Sequence, residues 1–568
     1  MIDIIATNIT SPLGFTSRQN YRAASSGDIA LKVFPEWNGI QGPVCIGAFS
    51  DEQRSALSMD GFTFFEAIAI RSVLEAVSHA DVDLSSEKTG FILGTTKGNI
   101  RELGHVAAED GNYTAPGQTA KRIAGYLGIV SEPVVVCNAC ISGATAQVLA
   151  QRLISSGVYD TVIVCGADVV NEFCLAGFTS FKSMSPTPCR PFDIERLGLN
   201  IGECAATMVF SGKEGHQPGR WHLVSSCLNN DAYHISAPAP SGEGVARAIE
   251  ATLRDFPREE LAMICAHGTA TMFNDQMESK AISGTGLSDL PLTACKGIYG
   301  HTFGAAGLIE AILSMESVDD GTVLPVCGFE EIGVSGKINI SNVARSTDRE
   351  SFIKLQSGFG GCNAVMLYSK APFTRKEPKS PVAVEELCSI KLNPERLEID
   401  GRTEMLAADS DKTFVTEIYK ARLSDNARFY KMDLFSRMVY VATGLLVKDR
   451  IADVLPESVS MILFNRSSSI VADRHHISTY CKKEEFYPSP SVFINTLPNV
   501  VMGEIAAKYM IKGETTFIIL PDRNCEQIDR IVSSSIAASD ETMMVTGWVD
   551  CTDDGKYEAD LKLIKIQR

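Results

Sequence analysis

The sequence predicts an α/β protein. Short apolar, β-rich runs such as 162–170 (VIVCGADVV), 263–268 (MICAHG) and 352–361 (FIKLQSGFGG) alternate with helical stretches such as 63–80 (TFFEAIAIRSVLEAVSHA). That alternation reads as buried sheets covered by helices. At 568 residues, with 45% hydrophobic and 21% charged side chains, the chain has the ordinary globular balance and length for two to four domains.

Taken in order, the helix of 63–80 precedes a strand at 90–94 (GFILG), and PVVVCNA (133–139) reads as a buried strand ending at Cys140. The residues after Cys140, ISGATAQVLAQRLISSG, place Ile141, Ala144, Val148 and Ile154 near one helical face, so a helix is expected to open at the cysteine. Residues 371–381 (APFTRKEPKSP) break the alternation with three prolines and a basic cluster, as a solvated linker would. The boundary is placed there: a first unit of 1–370 and a second of 382–568, the latter large enough for its own core. The second unit has a helix-like 433–449 and strand-like 460–465 (SMILFN) and 515–520 (TTFIIL).

A net charge of −17 argues against a nucleic-acid binder, and an acidic partner would need a local basic patch. Sixteen cysteines without a secreted-domain spacing, and an N-terminus lacking a basic region followed by an apolar run, point to a reducing cytoplasm. No apolar run reaches the roughly 18 residues of a membrane span.

Three motifs carry chemistry. Cys140 in CNACISG lies at a strand-to-helix junction, where the helix dipole and free N–H groups favour thiolate and would lower the pKa from about 8.5. A cysteine is also often a small buried hydrophobe, and Cys137 with Cys140 forms a CxxC open to a redox or zinc reading, although no second CxxC follows. His267 follows a buried strand, and Gly268 lets the chain turn tightly; alone it reads as a structural histidine before a functional one. KGIYGHTFGAAG projects Lys296 and His301 from one small-residue loop, which alone is either functional or a tight turn. His475 and His476 are adjacent without a third ligand and read as surface residues; no metal site is assigned.

Read jointly, these motifs resemble the beta-ketoacyl-acyl-carrier-protein synthases of the I/II type. Supporting segments run through the first unit: SPLG (11–14), CRPFDIERLGLNIGECAA (189–206), NDAYHISAPAP (230–240), HGTATMFND with Glu278, and SGFGGCN (357–363). The resemblance implies a thiolase-like fold, layered α/β/α/β/α and built from two related halves. It implies a decarboxylative Claisen condensation, with Cys140 carrying the acyl chain and His267 and His301 donating hydrogen bonds to the malonyl thioester as carbon dioxide leaves. The backbone N–H groups of Cys140 and Phe359 would form the oxyanion hole, and Phe359 would be a mobile gate. Lys296, paired in the family with the acid matched by Glu278, would keep the histidines neutral, and Thr269 and Thr271 would bind the phosphopantetheine arm. The substrates would be carried by acyl carrier protein, no other cofactor would be needed, and the protein would form a homodimer or pair with another ketosynthase-like subunit. Gln356 and Ser357 replace the usual Ser-Phe before GFGG, and Ile141 stands where smaller residues are common, a place from which it would shape the acyl pocket.

The second unit echoes the first. MDLFSRMVYVAT (432–443) resembles MDGFTFFEAIAI (59–70), SMILF (460–464) follows as GFILG does, 493–520 resembles the segment leading to a ketosynthase nucleophile, and MMVTGWVD (543–550) echoes VIVCGADV. Aligning Gly547 with Gly166 puts Pro521 against Cys140, so this unit reads as a degenerate ketosynthase half, similar to chain-length-factor partners of polyene and polyketide pathways, with Cys525 structural. Alternatives to an active condensing enzyme are a thiolase or acyltransferase of the same fold, a noncatalytic chain-length factor or scaffold for another ketosynthase, and a malonyl decarboxylase.

Overall fold

The computed structural model describes residues 2–38, 40–104, 114–213, 217–373, 383–407, 413–481 and 487–567. The linker expected at 371–381 lies for the most part outside the described residues. One five-strand pattern recurs three times, each time as three antiparallel strands followed by two parallel ones. The first runs Asp3–Thr10, Cys204–Ser211, Thr161–Asp168, Thr89–Gly94, Val134–Val136. The second runs His222–Asn230, Cys362–Ser369, Ser351–Gly358, Leu261–Cys265, Pro291–Thr293. The third runs Ala383–Leu392, Tyr557–Gln567, Met543–Cys551, Val459–Asn465, Thr515–Ile519.

Between the first two sheets lie the helices Ser142–Ser155 and Ala306–Asp319, which pack on each other. Their sequences carry no polar face: Ser142 through Ala150 and Ala306 through Met315 are buried without a break. Helices buried all round belong in a central layer, and the small residues Gly143, Gly304 and Gly307 let them come close to each other and to the strand ends. The outer helix Phe64–Val77 starts with a capping box between Thr63 and Glu66, and its counterpart Leu434–Val447 is capped by Asp433. The two MD dipeptides therefore do not superpose: the helices begin four residues after Asp60 but directly after Asp433.

The third sheet continues the first. Val135 and Val136 pair antiparallel with Ile519 and Ile518, and the Cys137 N–H donates to the Phe517 carbonyl at 3.0 Å. The second unit does not keep a core to itself, because one apolar cluster holds Phe91, Ala120 and Val135 together with Ile505, Phe517 and Val545. Register fixes the relation between the copies. Val136 pairs with Gly94, which pairs with Gly166; Phe517 pairs with Leu463, which pairs with Gly547. Val136 thus corresponds to Phe517, and four residues on, Cys140 corresponds to Pro521. Cys525 opens the helix Cys525–Ala538 and is exposed, away from the nucleophile position.

A chain ending at Ala371 would leave the Val134–Val136 edge and its apolar surroundings unpaired, a template for association. Light scattering of residues 1–371 is expected to show dimers or aggregates; a soluble monomer with full activity would contradict the interdependence of the two units.

Candidate active site

Cys140 lies in the 3-10 turn Ala139–Ile141, between the strand Val134–Val136 and the helix Ser142–Ser155. The helix opens two residues later than the sequence pattern suggests. Ala139 takes φ +49, a left-handed conformation that costs a non-glycine residue about 1–2 kcal/mol, at the turn that presents Cys140 to a cavity of about 420 Å³. Burial pushes the Cys140 thiol up to about 12, while Lys296 and the N–H groups of Phe359 and Cys140 itself pull it back. The expected lowering is therefore not met: burial favours the thiol over the thiolate, and the helix opens only at Ser142. Cys137, the other half of the CxxC, is fully buried with its thiol against the Thr96 carbonyl at 3.2 Å and is likewise raised to about 12.

The same cavity is lined by His267, His301, Thr269, Thr271 and Phe359. His267 follows the strand Leu261–Cys265, and Gly268 turns the chain at φ +49, with Ala294 so close that a side chain would collide. His301 sits in the segment between Lys296–Tyr299 and the central helix Ala306–Asp319. The two imidazoles meet edge to face at 5.3 Å. Their hydrogen bonds fix both tautomers. Nδ1 of His301 accepts from the Phe303 N–H at 3.2 Å, and Nδ1 of His267 accepts from the Lys296 ammonium at 3.1 Å. Each ring then carries its proton on Nε2, and Nε2 of His301 is buried with no protein partner. Burial and then the Lys296 charge hold both histidines well below the usual histidine range, so they are neutral donors.

Lys296 is completely buried and pairs with Glu310 at 2.7 Å while donating to the His267 carbonyl at 2.6 Å. Lys354, equally buried, reaches the other oxygen of Glu310 at 2.6 Å. The pairing of Lys296 with Glu278 that the resemblance suggests is thus corrected: Glu278 instead accepts the backbone N–H groups of His267 (2.6 Å) and Gly268 (2.9 Å), fixing the histidine loop, and burial raises it to about 7. Asp168 ties the cysteine side to the histidine side, accepting from Thr95 Oγ1 at 2.8 Å, the Thr96 N–H at 3.0 Å and the Gly304 N–H at 2.7 Å.

The threonine hydroxyls of 269 and 271 lie 2.8 Å apart on the cavity wall. The Phe359 ring stacks on Phe178 at 6.0 Å and meets Phe181 tilted at 5.7 Å. Behind Cys140 a crevice of about 20 Å³ is closed by Phe359, Phe178, Phe303 and, from the second unit, Phe493 and Leu497. Ile141 packs beneath Gly358 and lines neither space, Gln356 is buried, and the Ser357 hydroxyl donates to Asn363 at 2.8 Å.

Residues 42–216 match the N-terminal domain of beta-ketoacyl synthases and residues 222–330 the C-terminal domain, together half of the chain. The chain belongs to the beta-ketoacyl synthase family. It is 29% identical over 350 residues to the 3-oxoacyl-[acyl-carrier-protein] synthase 2 of Staphylococcus aureus, covering 56% of this chain and 84% of that one. A putative mitochondrial 3-oxoacyl-[acyl-carrier-protein] synthase of Schizosaccharomyces pombe is also 29% identical, over 65% of this chain and 98% of that one. Among solved structures, a ketosynthase with its chain length factor from Xenorhabdus doucetiae shares the fold over 65% of this chain and 98% of that one (TM-score 0.56, 24% identity). The PfaC keto synthase-chain length factor shares it over 99% of this chain and 78% of that one (TM-score 0.75, 14% identity). Likeness to the latter extends across both units of this synthase, which is thus an acyltransferase by family.

Sequence reasoning missed Glu310, Lys354 and Asp168. The first two had a signal, a lone charge inside an apolar helix (GLIEAIL) and inside an apolar strand (FIKLQ); a charge there must be paired. Asp168 had only its place at the end of an apolar strand. His476, expected at the surface, is buried, with Nε2 against the Phe173 carbonyl at 3.0 Å and its ring 5.0 Å from Phe493; burial lowers it to about 4. Among the described residues no cluster of His, Cys, Asp or Glu has the makings of a metal site.

Two outcomes follow from these electrostatics. Alkylation of Cys140 by iodoacetamide should accelerate about tenfold per pH unit between pH 6 and 9, because only the thiolate reacts; a plateau near pH 7 would show an acidic thiol instead. In Lys296→Met the cation beside His267 is gone and the histidine pKa moves up toward its ordinary value. The acidic limb of the pH–rate profile of malonyl-thioester decarboxylation should then shift to higher pH, and an unshifted limb would exclude this role of the lysine.

Proposed function

We propose that this chain catalyses decarboxylative condensation of a malonyl thioester with an acyl group held on Cys140, both delivered on the phosphopantetheine arm of acyl carrier protein. The observation that carries the reading is the convergence on one cavity of a thiol and two neutral imidazoles whose tautomers are fixed as Nε2–H donors. A thiol accepts an acyl group from a thioester, releasing the carrier thiol; the N–H groups of Cys140 and Phe359 receive the oxyanion. His267 and His301 then donate to the malonyl thioester oxygen. As the carboxylate leaves as carbon dioxide, its bonding pair passes to the enolate. The enolate carbon attacks the Cys140 thioester, the C–S bond breaks, and the 3-oxoacyl product departs on the carrier while the thiolate regains a proton. Thr269 and Thr271 line the path of the arm. Sixteen free cysteines suit a reducing cytoplasm; among the described residues no helix is long and apolar enough to cross a membrane.

The second unit takes the position of a partner subunit within the same chain. Its strand occupies the edge beside the nucleophile, and Phe493 and Leu497 close the space behind Cys140. This fits a ketosynthase joined to a silent chain-length-factor-like half, not a noncatalytic scaffold, because the cysteine and both histidines line one cavity and the lysine is bonded to His267.

Incubation with acyl-carrier and malonyl-carrier protein, followed by mass spectrometry, is expected to yield the 3-oxoacyl carrier, with loss of at least about 10³-fold in Cys140→Ala. Decarboxylated malonyl carrier without condensation product, from protein with intact Cys140, would replace the synthase reading by a decarboxylase.

A further inference from the structure

The loop Gly358–Gly361 contributes one of the two N–H groups at the Cys140 sulfur, and the second unit grips that loop. Asn499, which precedes the helix Val500–Tyr509 without a side-chain capping bond, is 2% exposed and donates through Nδ2 to the Phe359 carbonyl at 2.8 Å. Its Oδ1 is buried with no partner, so the side chain gives up half its hydrogen-bonding capacity to stand there. The next carbonyl, of Gly360, accepts from Asn230 Nδ2 at 2.8 Å, and that amide also touches Thr515 Oγ1 of the second unit at 3.0 Å. Gly360, at φ +89, lies so close to Asn499 that a Cβ would meet Nδ2 at 2.8 Å, and a Cβ on Gly503 would strike the Gly360 backbone. Two glycines on opposite units thus allow backbone contact at this one place.

We propose that Asn499 is a positioning residue: it holds the carbonyl of Phe359 and thereby aims the loop at the acyl thioester. The planar peptides of the loop link the two functions. Anchoring the Phe359 carbonyl fixes the peptide that follows, while the Gly360 N–H donating to the Ile235 carbonyl at 2.7 Å holds the same peptide from the other face. With both ends of that peptide tied, the preceding N–H of Phe359 has little freedom to swing off the sulfur. The contact is between the units, so the silent half takes part in acylation without supplying a reacting group. The inference rests on the condensing reading for its kinetic consequence and on geometry alone for the loop.

The test is Asn499→Leu in the full chain, with Val500→Ala as a neighbour that touches the same loop without a side-chain hydrogen bond. Hydrogen–deuterium exchange of the peptide spanning 357–362 is expected to quicken in Asn499→Leu and not in Val500→Ala. Acylation of Cys140 by an acyl-carrier thioester should fall 10- to 100-fold through kcat, with KM for the carrier within twofold. Iodoacetamide labelling of Cys140, a displacement that forms no oxyanion and feels the Phe359 N–H only through the thiolate, should fall by less than acylation. Unchanged exchange, unchanged acylation, or labelling that falls as far as acylation would each overturn the proposal. If wild-type protein takes no acyl group while the loop of Asn499→Leu still exchanges faster, the loop anchor stands and the synthase reading fails.

Discussion

The arrangement depends on one short antiparallel contact, Val135 and Val136 against Ile519 and Ile518. Sheet edges with unsatisfied N–H and C=O groups must be paired or covered, and here the edge of the catalytic sheet finds its partner further along the same chain. The four side chains are essentially inaccessible, each contributing on the order of 2 kcal/mol of apolar burial. The ladder runs directly into the nucleophile turn: the Cys137 N–H donates to Phe517, and Asn138, two residues before Cys140, donates through its side chain to the Thr515 carbonyl at 2.9 Å. The strained Ala139 turn is therefore held from both sides, by its own helix and by the opposing unit. Strain of this kind persists only where surrounding contacts over-determine it.

The correspondence of Cys140 with Pro521 leaves the third copy of the half-motif without the groups that the first presents at this position. Proline removes the thiol and, having no N–H, removes the oxyanion donor at the same position. The Pro521 carbonyl is instead used structurally, accepting from Gln118 Nε2 at 3.0 Å, and Gly117 makes room for the Leu520–Pro521 backbone. What the copy retains is its strand edge and the helix above it, the two parts that reach the catalytic unit. What it adds is aromatic: Phe493 packs edge-on to Phe178 at 5.4 Å and His476 to Phe173 at 4.6 Å, so the space behind the cysteine is bounded by side chains from both units.

The parts of this organisation written in the sequence are those with local signatures. Apolar runs mark the strands, the small-residue loop of KGIYGHTFGAAG marks the approach to the central helix, and Gly166 and Gly547 mark equivalent strands precisely enough that a gapless count finds the silent position. The histidines and the cysteine are legible because their motifs are contiguous. Asn499 was not, because its partner lies 140 residues away and its own surroundings, LPNVVMG, look like any helix start. Glu310 was hidden for a different reason: the motif fixes Lys296 but says nothing of which acid turns toward it, and two buried glutamates, 278 and 310, were available. The chain uses one for the backbone and one for the charge. The thiol pKa also escaped, because a helix start is a local feature whereas desolvation is set by everything packed around it.

That division between the two glutamates decides the electrostatics of the site. Lys296 and Lys354 share the single carboxylate of Glu310, leaving a surplus positive charge in a dry interior. Glu278 offsets it only in part: burial lifts its pKa to about 7, while the backbone N–H groups of His267 and Gly268 pull it back toward the carboxylate. A buried surplus charge is costly for the fold, and no strand or helix needs it. Its effect falls on the two imidazoles, each of which would add a further positive charge on protonation and is therefore kept neutral. A protonated imidazole would also donate from Nδ1, in conflict with Lys296 at His267 and with the Phe303 N–H at His301. At His301 the charge comes from Lys296 and the hydrogen bond from the Phe303 N–H, whereas at His267 Lys296 supplies both, so the two imidazoles differ in how much they depend on that one lysine.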